Sequence, residues 1–238
     1  MKNLWTITWR ELRAYFASPL AYVLSAAYLA LSGVFFGFDL YFSREASLRG
    51  VFVTFLFILL LLAPALTMRL LAEEQRMGTL ELLLTAPVHD WQVVVGKFLG
   101  SLIMFLVMMV LPTLYYVVIL VAFGPPDYGP LLTGYLGLIL LGASFLAIGV
   151  FTSSLSQNQV IALFVGLAVL IVMWVADAFT NLFGTGLASD VFGFLAIGKH
   201  YSDFFRGVIT STDIVYALSI IAVSLFFAVQ VLQSRRWR

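Results

Sequence analysis

Six runs of roughly twenty mainly apolar residues dominate this chain, and hardly a charge falls inside them. A run of that length lets a helix cross a hydrocarbon layer about 30 Å thick, in which an unpaired backbone amide is expensive. The runs are Leu20–Phe38, Val51–Leu71, Phe98–Ala122, Leu131–Phe151, Val160–Phe179 and Ile214–Leu232. With 62% of 238 residues hydrophobic, 11% charged and a mean hydropathy of +1.05, there is more apolar surface than a soluble core of this size can bury. Uninterrupted apolar runs exclude an outer-membrane barrel, whose strands need a polar inner face. The expected fold is all-α: a polytopic bundle of six transmembrane helices in one domain, residues 1–238.

The first sixteen residues interleave Lys2, Arg10, Glu11 and Arg13 with aromatics, so no cleavable leader is expected and the first span is retained. Both termini on the inner side would put Lys2, Arg10, Arg13, Arg69, Arg76, Lys97, Arg235, Arg236 and Arg238 there, nine cations, against Arg44, Arg49, Lys199 and Arg206, four, outside. The bias of Lys and Arg toward the cytoplasm favours that orientation. The absence of cysteine removes disulfides, thiolate metal sites and thiol catalysis.

Residues 1–18 read as an amphipathic interfacial helix, with Trp5, Trp9, Leu12 and Phe16 on one face and Thr6, Arg10 and Arg13 on another. It serves either as an anchor for the first span or as a transmitter of motion, and Pro19 marks its end. Gly124 to Pro130 is a breaker-rich outer turn, and Thr152 to Gln159 a polar, uncharged inner turn, too short to fold by itself but able to touch a cytoplasmic partner. Residues 180–213 are partly apolar and rich in glycine, which suggests short re-entrant helices. Phe192, Phe194, His200, Phe204, Arg206 and Gly207 would then line an external exit, unless the segment only rests on headgroups. The pairs Gly33/Gly37 and Gly96/Gly100 have the spacing for close helix approach within one chain.

An ion-coupled carrier keeps ionisable groups near the midplane. Here Asp177 and Lys97 stand at span ends, where snorkelling accounts for them, and Pro64 and Pro112 are expected to kink spans two and three. Gly96-Lys97 lacks the glycine and hydroxyl of a phosphate-binding loop, and His89 and His200 fall on opposite sides, too far apart to share a metal. No catalytic residue, metal site or nucleic-acid footprint is expected. Energy must then arrive through the charged island of residues 72–97. There Arg69 to Arg76 extends span two, Gly78 breaks it, Thr79 to Thr85 forms a short helix with Glu81 in its first turn, Pro87 ends that helix and Asp90 caps the next. Leu80, Leu82, Leu83 and Leu84 need a surface, either a docked protein or headgroups.

At these residues the chain resembles the membrane subunit of an ATP-binding-cassette exporter of the type-2 class, similar to gliding-motility and nitrous-oxide-reductase-cluster permeases. Glu73-Glu74, Gly78-Thr79-Leu80-Glu81, Leu83, Pro87 and Gly96-Lys97 reproduce the first inner loop of that class. Ser153-Ser154-Leu155, Asn158-Gln159, His200, Phe204, Arg206-Gly207-Val208-Ile209 and Ser234 to Arg238 extend the likeness over the whole chain. The resemblance implies a homodimer or heterodimer of permease subunits in the bacterial cytoplasmic membrane, carrying ATPase subunits that bind ATP and magnesium. It makes Glu73, Glu74, Arg76, Gly78, Thr79, Leu80, Glu81, Leu83 and Pro87 the ATPase-coupling residues, in a coupling helix between spans two and three. Export of a substrate is the function implied. The other open reading is a mechanotransmitter that passes ATP-driven movement to a periplasmic or membrane accessory protein without translocating anything.

Overall fold

The computed structural model describes residues 2–43, 45, 47–79, 88–183 and 192–236. Helix α1 (Lys2–Ala17) gives way at Ser18 to α2 (Pro19–Ser43). Helices α3 (Arg49–Thr67) and α4 (Arg69–Arg76) make up the second span, broken at Met68. The third comprises α5 (Asp90–Phe105), a π turn (Leu106–Val110) and α6 (Leu111–Phe123). The rest are α7 (Tyr128–Leu155), α8 (Gln159–Phe183), a short α9 (Ile197–Phe205) and α10 (Ser211–Arg236). Among the described residues six helical stretches are long and apolar enough to cross a membrane, and there is no strand. The expected Thr79 to Thr85 helix, with Leu80, Glu81 and Leu83, and the Pro87 that ends it lie outside the described residues, apart from Thr79.

Helix α7 is the axis of the bundle. It is buried along most of its length, whereas α2, α8 and α10 leave most of theirs on the outside of the bundle. Its glycines allow this, because small residues let neighbouring backbones approach where no hydrophobic force drives helices together. A Cβ on Gly134 would overlap the Phe52 ring, one on Gly142 the Phe105 ring, and one on Gly149 the Thr67 hydroxyl. Helices α3 and α5 therefore dock on α7 through large side chains set over glycines.

The break in the second span is filled from α7. Pro64 lies four residues before Met68, whose amide donates to the Pro64 carbonyl at 2.8 Å. Beyond the break the amides of Leu71 and Ala72 both donate to Ser153 Oγ, at 3.0 and 3.1 Å, and that hydroxyl donates to the Met68 carbonyl at 2.9 Å. One buried serine thus satisfies the backbone groups that the break frees, as an apolar surrounding requires.

The polar turn expected from Thr152 to Gln159 is shorter. Helix α7 runs through Leu155, and Thr152, Ser153 and Ser154 are buried rather than offered to a partner. Their hydroxyls bond within the bundle, and only Ser156 to Asn158 form the turn. The orphan carbonyls at the end of α7 are met by Gln75 Nε2, at 3.0 Å from the Ser154 oxygen, and by the Arg235 guanidinium at 3.2 Å. The ends of α4, α7 and α10 are thereby tied together at the end of the bundle where the chain begins and finishes.

Gly149→Ala should lower stability by about 1–3 kcal/mol through overpacking against Thr67. Gly37, whose Cβ would meet nothing within 4 Å, should accept alanine without loss. Thermal unfolding of the two purified variants in detergent provides the comparison.

A candidate coupling site around Lys97

Helix α1 lies along α5. The Cβ atoms absent from Gly96 and Gly100 would stand 2.9 Å from Ile7 Cγ2 and 2.9 Å from Glu11 Cβ, so these two glycines form the groove that receives α1. The pair Gly96/Gly100 works within one chain; Gly33 lies 3.3 Å from the Tyr116 hydroxyl, and Gly37 faces open space.

The buried face of α1 is Ile7, Thr8, Glu11, Leu12 and Tyr15. This corrects the expected pairing of Leu12 with the tryptophans. Trp5, Trp9 and Phe16 are exposed, with the Arg13 guanidinium 5.3 Å over the Trp9 ring, while Leu12 joins the protein core. The helix has two apolar faces, one for lipid and one for α5, and the second carries an acid.

That acid meets Lys97. The side chain of Lys97 is 1% exposed, and Nζ lies 3.0 Å from Glu11 Oε2 and 2.9 Å from Glu74 Oε1. Snorkelling does not describe it, since the ammonium is directed into the protein, where two carboxylates from two other helices neutralise it. Arg10 Nη2 also lies 2.9 Å from Glu74 Oε1. A chain of alternating charge, Arg10–Glu74–Lys97–Glu11, therefore joins α1, α4 and α5. A crevice of about 390 Å³ opens beside it, with Arg69 and Glu73 on its wall.

Tyr15 and Arg69 extend the junction to α3. The Tyr15 hydroxyl donates to the Leu66 carbonyl at 2.9 Å, and the Arg69 guanidinium lies 4.8 Å over its ring while donating to Ser18 Oγ at 2.6 Å. Burial first, and the Glu11 carboxylate second, hold the Tyr15 phenol well above its ordinary pKa against the opposing effect of Arg69. It stays a neutral donor at any physiological pH.

Of the remaining sequence-derived coupling residues, Glu73 lines the crevice, Arg76 is exposed in the last turn of α4, and Thr79 Oγ1 donates to the Glu74 carbonyl at 3.4 Å. Gly78 takes φ +69, the left-handed value that ends a helix and that glycine adopts without strain. Leu80, Glu81, Leu83 and Pro87 lie outside the described residues. His89, not Asp90, precedes the first turn of α5. Its amide donates to Gln92 Oε1 at 3.2 Å, and Asp90 is the first helical residue, where the helix dipole favours an anion.

The residues proposed for the far end divide into two groups. His200 Nδ1 lies 3.0 Å from Asp213 Oδ1, its ring stacks on Tyr216 at 3.9 Å, and Phe194 stands edge-on to Tyr216. Asp213 also accepts from the Thr210 hydroxyl, and Tyr216 donates to the Leu195 carbonyl at 3.0 Å. Phe204 belongs to the other side of α9, where its ring sits over Gly137 and its carbonyl accepts from Thr133 at 2.6 Å. Arg206 is exposed, and Gly207, at φ +91, turns the chain against Pro130 after α9. Phe192 is half-buried in the helical turn of residues 192–195. Among the described residues at this end, Phe204 and Tyr216 are buried while Phe194 is exposed.

Sequence reasoning missed the role of Lys97. The signal was present: Glu11 stands four residues from both Ile7 and Tyr15, in register with an apolar stripe rather than with Arg10 and Arg13. Lys97→Met should cost about 3–5 kcal/mol, because it leaves two largely buried carboxylates without their shared cation. The triple change Glu11→Gln, Glu74→Gln, Lys97→Met removes the uncompensated charge and should recover most of that loss. Thermal unfolding of the three proteins in one detergent decides it; equal loss in both variants would refute the electrostatic account.

The family model described as ABC-2 family transporter protein matches residues 5–228, nearly the whole chain from α1 into α10. No curated protein matches the chain closely enough to count as a relative. With six apolar helices and a family match that runs across all of them, the chain is a multi-pass membrane protein that belongs to the ABC-2 family of transporter proteins.

Proposed function

We propose that this chain is the permease subunit of an ATP-driven exporter in a cytoplasmic membrane, with both termini inside. A separate ATPase subunit binds ATP and magnesium and docks on the segment that follows Gly78, and two permease subunits form the pathway. The observation that carries this reading is the buried junction at Lys97. An anchor helix needs only a lipid-facing stripe, yet α1 also places an acid inside the protein, against the two helices that flank the docking segment.

The junction gives that segment mechanical consequence. Movement of α4 displaces Glu74, which is bonded to Lys97 on α5 and to Arg10 on α1, so the three helices respond together. Helix α4 also continues α3, held at the Met68 break by Ser153. An input at Gly78 therefore reaches α3, α5 and the interfacial helix through bonds of known partners.

Co-expression with its ATPase and affinity purification of the complex tests the proposal. Gly78→Val and Glu81→Lys should abolish co-purification. Lys97→Met should keep the ATPase bound and lower its permease-dependent turnover about tenfold, within the range of ordinary coupling energies. Retained binding and full turnover in all three variants would refute the docking assignment. A functional complex with a sealed subunit interface and a large accessory protein on its outer face would replace export by force transmission.

A further inference from the structure

The third span is one helix in length and two in its attachments. Helix α5 is held by the α1 groove at Gly96 and Gly100, by the Lys97 ion pairs and by Phe105 over Gly142 of α7. Helix α6 buries only Thr113, Tyr116 and Leu120, and its main grip is on α2. There the Tyr116 hydroxyl shares a 2.9 Å hydrogen bond with Ser32 Oγ and donates to the Leu29 carbonyl at 3.3 Å, and its ring stacks on Phe36 at 4.6 Å.

The change of partner falls on a backbone irregularity. From Leu106 to Val110 the hydrogen bonds lengthen to a π turn, and the Leu111 amide reaches the Leu106 carbonyl five residues back. Pro112 follows directly and has no amide to give. Such a turn holds one residue more than an α-helix, and π turns and prolines are the usual seats of sharp bends. Three of the chain's seven methionines, Met104, Met108 and Met109, lie at this point, and unbranched side chains of this kind fill irregular gaps. The Tyr135 hydroxyl of α7 donates to the Thr113 carbonyl at 2.8 Å, and Thr113 Oγ1 donates to the Val110 carbonyl at 2.6 Å. The Tyr135 bond thus pins the start of α6, just beyond the irregular turn, to the central helix.

We infer that residues Leu106 to Pro112 are a pinned hinge that divides the third span into an inner arm moving with α1 and an outer arm moving with α2. The pin at Thr113 fixes the pivot while the π turn supplies the bend. The proposed function gives this hinge its use, which is to absorb at mid-membrane a movement that enters at the Lys97 junction, and that use rests on the proposal above. The hinge itself does not.

The chain has no cysteine, so spin labels are introduced without background. The exposed positions Trp91→Cys and Val118→Cys span the hinge, while Ala17→Cys with Trp91→Cys and Val34→Cys with Val118→Cys each report on one arm. In lipid nanodiscs, for the chain alone, the distance distribution across the hinge should be about twofold wider than either control. Deletion of Val107 together with Pro112→Ala makes the span a regular helix with both arms in register and should narrow it to the width of the controls. An equally narrow distribution in the unstraightened chain, or one that straightening leaves wide, overturns the hinge.

Hydrogen exchange of that same chain gives a readout that needs no folded deletion variant. Amides of Leu106 to Leu111 should exchange about tenfold faster than those of the flanking turns, and equal protection overturns the inference. In the ATPase complex, nucleotide trapping should shift the distance across the hinge and neither control. A bound ATPase without that shift overturns the mechanical role, whereas failure to bind any ATPase overturns the proposed function and leaves the hinge intact.

Discussion

The burial of Lys97 is the constraint on which the half of this protein that holds both termini depends. An ammonium removed from water costs several kcal/mol even after relaxation, and the cost is offset only by good geometry with opposite charge. Here the offset requires Glu11 on α1 and Glu74 on α4 to arrive at the same point. Neither helix can leave without stranding a charge, so α1 is an integral part of the bundle. The glycines at 96 and 100 are needed for the same reason: only a bare surface on α5 lets α1 approach closely enough for a three-carbon acid side chain to reach Nζ.

The same accounting governs the backbone. The break at Met68 would be costly in hydrocarbon, yet Ser153 of α7 furnishes its partners, and Tyr135 of the same helix holds the Thr113 carbonyl just beyond the π turn. The central helix is thus more than a packing post. It carries glycines where neighbours must come close and hydroxyls where their ladders open. The irregular points of spans two and three lie where α7 can serve them.

The gross architecture was legible because hydrocarbon imposes a length and a polarity on any helix that crosses it, and six such runs stand out in the sequence. The glycine-assisted approach of α1 to α5 was legible for a similar reason, since few residue types permit it. The direction of Lys97 was not. A lysine at a span end snorkels to water unless an acid comes within reach, and Glu11 is 86 residues away along the chain, so only the packed structure shows the two meeting. The facing of α1 was misread because Leu12 fits an apolar stripe with Trp9 and Phe16 as readily as one with Thr8 and Tyr15; the presence of Gly96 and Gly100 on another helix decides between them. Ser153 and Ser154 looked like a polar turn because hydroxyls are counted as polar, whereas in a bundle they are the groups best suited to repair a broken ladder.

The two ends of the molecule are held by different physics, and the difference bears on where motion enters. At the terminal end the contacts are charged and directional, with Glu74 joining two cations on two helices, so a small displacement is transmitted rather than absorbed. At the far end aromatic contacts prevail, with Phe52 stacked on Phe205 at 5.6 Å and Phe204 over Gly137, beside the single His200–Asp213 contact of α9 and α10. In the proposed complex a push at the terminal end would enter the bundle through those charged contacts. Its compliance must then lie between the two, at the irregular turns that α7 supports.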